Sequence, residues 1–126
     1  MTKPASKKAD LYFESANPII RVEDMDRALA FYTEVLGFEN AEWGTDTFTL
    51  LNRDDASFYL CCGDQGRGGA YFWLGVDDVR PLFEELRDRG IPILHPPVHY
   101  PWGLEMQVED PDGNVLRISS AVEDEE

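Results

Sequence analysis

The chain has 126 residues, 43% of them hydrophobic, and a formal charge of −14 from 25 acidic against 11 basic side chains. That describes one domain with enough apolar mass for a core, and too acidic for nucleic acid, which is bound through a basic footprint. The same charge disfavours anionic membranes and favours a cationic ligand through long-range attraction.

The first 14 residues read as an arm. Met1 to Lys8 is basic and polar without the apolar stretch of a signal peptide, and no apolar run anywhere reaches the roughly 20 residues of a membrane helix, so a cytoplasmic protein is expected. Leu11-Tyr12-Phe13 is an apolar cluster within this leader. Ile19 to Asp24 reads as a strand ending at a helix cap, since Asp24 can accept bonds from free N–H groups of a first helical turn. Ala28, Leu29, Phe31, Tyr32, Val35 and Leu36 then fall at helical spacing, and Gly37 suits the left-handed position that ends a helix. Three short strands are expected near Glu39–Gly44, Thr47–Leu51 and Ser57–Cys62. Cys61 and Cys62 are adjacent; on a strand one faces in and one out, and two sulfurs alone do not close a zinc site.

Residues 63–69, rich in glycine, read as a linker, after which the pattern repeats. Phe72 to Asp78 is a second strand ending at a cap, and of Phe72 and Trp73 one must be core. Val79, Leu82, Phe83 and Leu86 mark a second helix that tolerates Pro81 in its first turn and stops at Gly90. Strands follow near Ile91–Leu94, Leu104–Glu109 and Asn114–Ser119, the last two joined by the tight turn Asp110-Pro111-Asp112-Gly113. His95-Pro96-Pro97-Val98-His99-Tyr100 reads as a proline-stiffened loop with surface histidines, which have no neighbouring acid in sequence to make a catalytic pair. Residues 121–126 form an acidic tail. Each unit, 15–62 and 70–120, leaves a sheet face and a helix that it cannot bury alone, so the two are expected to pair.

The ordered set Pro18 to Asp24, Ala30-Phe31-Tyr32, Leu36-Gly37-Phe38, Val76 to Val79 and Asp110 to Asn114 resembles the vicinal-oxygen-chelate superfamily of glyoxalases, extradiol dioxygenases and bleomycin-resistance proteins. Pro101-Trp102-Gly103, ahead of the penultimate strand, resembles the bleomycin-resistance-like branch. The resemblance implies an α+β fold, two paired β-α-β-β-β modules forming a curved mixed sheet around a cleft, and a homodimer with crevices at the subunit interface and an arm that crosses to the partner. It also implies, for the metal enzymes, ligands at positions that here hold Asn17, Tyr59 to Cys61, Tyr71 and Arg117. Arg117 is a permanent cation that would repel a metal, so no metal, no other cofactor and no catalytic residue is nominated.

Binding is what remains. The expected function is that of a metal-free protein sequestering a planar cationic, bleomycin-like antibiotic without modifying it. Such a ligand wants aromatic plates and negative charge. The plates nominated are Trp102, Phe38, Trp43, Phe48, Tyr59, Tyr71 and Trp73; the acids are Glu105 and Asp46. The alternatives are a superfamily enzyme, a glyoxalase-type lyase or isomerase or a dioxygenase with a non-standard metal site, and an acidic interaction module with no small ligand.

Overall fold

Asp24 and Asp78 begin both helices in the same way: each has extended backbone, and each carboxylate accepts a first-turn amide, from Arg27 and Arg80 respectively. The structure, a computed structural model, describes residues 10–122. In the first module β1 (Ile19–Arg21) leads into α1 (Met25–Ala30), then β2 (Glu39–Asn40), β3 (Phe48–Arg53) and β4 (Ala56–Cys61). In the second, β5 (Tyr71–Gly75) leads into α2 (Val79–Asp88), then β6 (His95–Tyr100), β7 (Gly103–Glu109) and β8 (Val115–Ser120). The strand orders are β1-β4-β3-β2 and β5-β8-β7-β6. In each sheet the first strand pairs parallel to the last and the others are antiparallel. This is the expected α+β pairing of two β-α-β-β-β modules, realised as two four-stranded mixed sheets.

Strand alternation sorts the side chains. Ile20, Leu51, Phe58 and Leu60 of the first sheet and Phe72, Leu74, Met106, Val108, Leu116 and Ile118 of the second enter one core, which α1 and α2 complete with Ala28, Val79 and Leu86. Phe58 and Phe72 meet at 4.9 Å between ring centroids and join the modules. Of Phe72 and Trp73 the former is therefore the core residue, and Trp73 is half exposed on the other face.

The turn after β7 is a second junction. The Asp110 carboxylate is buried and accepts four hydrogen bonds: from the amides of Asp112 and Asn114, from Asn114 Nδ2, and from the hydroxyl of Tyr32 at 2.7 Å. Asn114 Nδ2 also donates to the Arg21 carbonyl, and its Oδ1 accepts from the Ala70 amide. The tight turn is thus a latch between modules, and Asp112, which accepts from the Glu23 amide and from Arg27 at 2.8 Å, extends it.

Several local features differ from the sequence expectation. The helix after Asp24 changes at Phe31–Val35 into a π turn, which carries Tyr32, before Gly37 takes φ +74°. The strand expected at Glu39–Gly44 keeps only Glu39–Asn40. His95–Tyr100 is a strand and not a loop, and Ile91–Leu94 is the connection before it. Prolines are tolerated there because β6 is an edge strand with an irregularity between His95 and Val98. Of the arm, Leu11, Tyr12 and Phe13 lie exposed, while residues 1–9 lie outside the described residues, as do Glu123 to Glu126 of the acidic tail.

Candidate aromatic binding site

The outward strand residues collect the aromatics into two clusters. On the first sheet Phe48 (β3) stacks on Tyr59 (β4) at 5.1 Å between centroids, and Trp43, from the loop before β3, tilts against Phe48 at 6.4 Å. On the second sheet Tyr100, at the end of β6, stacks face to face on Trp102 at 4.8 Å. The Arg117 guanidinium carbon lies 5.6 Å from the centre of the Trp102 ring and 5.3 Å from that of Trp73. Register explains the grouping: Trp73 faces Arg117 across the β5–β8 pair, and Arg117 lies beside Gln107, two residues from Glu105, across β7–β8.

Beneath this layer lies Glu105. Its side chain is buried and accepts Trp102 Nε1 at 2.8 Å, Arg117 Nε at 2.8 Å and Arg117 Nη2 at 3.3 Å. Burial by itself would raise its pKa. The hydrogen bonds from Arg117, then Trp102, together with the Arg117 charge, outweigh burial and hold the carboxyl below its ordinary range. Arg117 is correspondingly held above its ordinary value by its bond to Glu105.

Gly103 shapes the approach to β7. Its φ is +148°, and a Cβ there would run into the Ser120 carbonyl oxygen, so only glycine lets the chain pass so close to β8. Pro101-Trp102-Gly103 is therefore in part a packing device that turns Trp102 outward onto Tyr100.

Of the nine nominated residues, Phe48, Tyr59 and Trp43 form the first cluster. Trp102, Trp73 and Glu105 belong to the second, and Tyr71 stands exposed on the same face as Trp73. Two nominated residues are already engaged within the fold. Phe38 is a core residue, packed edge-on against Tyr32 and Phe58, with its amide bonded to the Tyr32 carbonyl. Glu105 is not a free acid awaiting a cation; its charge is already taken by Arg117. Asp46 is exposed in the loop before β3. Sequence reasoning missed Tyr100, having read it as loop, and treated Arg117 only as an obstacle to metal; Arg117 falling two residues after Val115 on an alternating strand was the available signal.

The positions implied as metal ligands do not suit a divalent ion. Asn17 Nδ2 donates to the carbonyl and hydroxyl of Ser57, Tyr71 is a phenol, and Arg117 is a cation. Among the described residues no three His, Cys, Asp or Glu side chains converge. His95 and His99 are exposed on β6. A separate open cleft of about 1060 Å³ lies between the β3–β4 turn and the start of α2, with Arg53, Asp54, Asp55, Asp77 and Asp78 on its walls. Phe38 alone of the nominated residues borders it, so the cleft and the aromatic faces are distinct surfaces.

With this geometry in view, similarity to known proteins is informative. A copper(II)-bleomycin complex of the bleomycin-binding protein from bleomycin-producing Streptomyces verticillus superposes with a TM-score of 0.75 at 24% identity, over 88% of this chain and 98% of that one. A bleomycin resistance determinant encoded on the transposon Tn5 gives 0.74 at 25% identity, over 86% and 98%. In sequence, a probable lactoylglutathione lyase of Synechocystis is 30% identical over 117 residues, covering 79% of this chain and 89% of the relative. The Glyoxalase/Bleomycin resistance protein/Dioxygenase superfamily model matches residues 15–118, and the chain belongs to that superfamily.

Proposed function

We propose that this protein is a metal-independent, non-catalytic binding protein that sequesters a flat, cationic antibiotic of the bleomycin type. One observation carries the reading: large aromatic side chains lie open on β5 and on the loops beside the sheets, with Trp43 56%, Trp73 50% and Trp102 46% exposed, beside positions whose residues do not suit a metal. Exposed rings of this size offer flat surface on which an aromatic ligand can stack. The charge of −14 draws a cationic ligand toward them. The reading includes a cytoplasmic homodimer with the binding crevice between subunits. The exposed Leu11, Tyr12 and Phe13 supply apolar surface for a second copy to cover, and the two aromatic clusters, which make no ring contact with each other among the described residues, would each gain an opposing wall.

The test is a tryptophan-fluorescence titration of chelator-treated protein with bleomycin, metal-free and copper-loaded. Saturable quenching at one drug per subunit is expected. Trp102→Ala should keep the fold and weaken binding by about 1–3 kcal/mol, the worth of one stacked plate; an unchanged affinity removes Trp102 from the site.

A second reading, a lyase, is favoured by the 30% identity to the Synechocystis relative. It requires a bound divalent metal in the purified protein and formation or breakdown of lactoylglutathione. Metal analysis with that assay separates the two readings.

A further inference from the structure

We propose that Arg117 is the ligand-orienting donor of this site and that it selects flat ring systems carrying a carbonyl-type acceptor, such as a carboxamide, at one edge. The inference rests on the binding-protein reading and adds the ligand's chemistry and its direction of entry.

A guanidinium offers five N–H donors in a rigid planar fork. Here one edge of the fork is used: Nε and Nη2 are tied to the buried Glu105 carboxylate. Trp73 and Trp102 flank the group at 5.3 and 5.6 Å. Nη1 has no hydrogen-bond partner among the described residues, and the side chain is 35% exposed. A donor group is thus held by Glu105, flanked by two indoles, and left partly exposed with Nη1 unpaired among the described residues. Its conformational freedom is spent before any ligand arrives, which lowers the cost of binding.

The charge balance sets the class of acceptor. Glu105 offsets Arg117, so the pair attracts a dipolar oxygen without the full pull of a bare cation, and the chain's −14 charge repels a free anion. A cationic group brought to Nη1 would meet like charge. A ligand with both a flat acceptor-bearing ring and a cationic tail therefore enters ring first, with the acceptor on Arg117, the ring against an indole and the tail pointing to solvent.

Titration of the ¹⁵N-labelled protein with 2-naphthamide and with 2-naphthylmethylammonium, read from backbone, indole and Arg Nε shifts, tests this. Both probes present the same ring, and only the first presents an acceptor. The expected result is about tenfold or more tighter binding of 2-naphthamide, with the Arg117 Nε signal moving, in keeping with one well-placed hydrogen bond to a charged donor. Arg117→Met should erase the preference. Because that change strands a buried carboxylate, the double variant Arg117→Met/Glu105→Gln, whose amide oxygen can still accept from Trp102, serves as the folded control and should also show no preference. The inference is overturned if the ammonium probe binds as well, if the preference survives in the double variant, or if 2-naphthamide fails to bind while bleomycin still does; the binding-protein reading then stands. If bleomycin and both probes fail together, that reading falls and takes the inference with it.

Discussion

Tyr32→Phe removes one oxygen and nothing else. Tyr32 is fully buried, with its ring edge-on to Phe31, Phe38 and Phe58 at centroid distances of 5.1, 6.4 and 5.2 Å, and phenylalanine keeps all of these contacts. What is lost is the 2.7 Å hydrogen bond to Asp110, whose carboxylate retains its three donors from Asp112 and Asn114. A hydrogen bond to a charged group contributes about 1.5–3 kcal/mol, and this one crosses the module junction, so the variant should lose about that much stability. Urea unfolding at pH 7 measures it, as a lower midpoint with an unchanged slope. The pH dependence supplies an independent check. Burial first, then the Asp110 charge, raises the Tyr32 pKa far above its ordinary value near 10. A raised folded pKa means that the stabilisation is complete below pH 10 and is lost above it, as the unfolded chain ionises and the folded one does not. The gap between wild type and Tyr32→Phe should therefore shrink by about 1.4 kcal/mol per pH unit above 10. A loss under about 0.5 kcal/mol at pH 7, or a gap that does not change at alkaline pH, would refute the assignment of this bond as a junction latch.

Three further outcomes are expected. Gly103→Ala places a Cβ against the Ser120 carbonyl in a left-handed conformation, and should cost about 2–5 kcal/mol and shift the β7–β8 amide signals in an HSQC spectrum; a neutral variant would show that the strands separate freely. Glu105 has a depressed folded pKa, so its stabilisation is full above the ordinary carboxylate range, roughly pH 4–5, and is lost as pH falls below it. Urea melts across that range should show the advantage of wild type over Glu105→Gln fading toward acid; a constant difference would mean that the Arg117 pair does not set it. Bleomycin affinity should fall as salt rises from roughly 0.05 to 0.5 M, since screening shortens the reach of the −14 charge, and a salt-independent constant would assign that charge to solubility alone.

The legible parts of the sequence were those governed by a single local rule. Both caps, Asp24 and Asp78, and both helix-ending glycines, Gly37 and Gly90 at φ +74°, were readable from residue type. Alternation in β7 and β8 placed Glu105 and Arg117 on one face in principle, yet what Arg117 does there depends on Trp73, which arrives from a strand more than 40 residues away in the chain. The same holds for Asp110: its turn is legible as a turn, but its partner Tyr32 lies 78 residues earlier, in a π turn for which there is no pattern to read. Phe38 misled because an aromatic after Leu-Gly looks like any other ring until the chain's next direction is known. β6 misled because prolines argue against strands in general and lose that force at an edge.

That edge has a consequence for how copies of the chain can meet. A sheet invites a neighbour by offering unpaired amides along its border. One border of the second sheet is β6, where Pro96 and Pro97 supply no N–H; one border of the first is β2, only two residues long. These two borders are poor templates for strand addition, so a continuous intermolecular sheet is discouraged from growing there. Copies that met at β2 or β6 would find little backbone to pair, whereas on the broad strand faces side chains and not backbone would decide the fit.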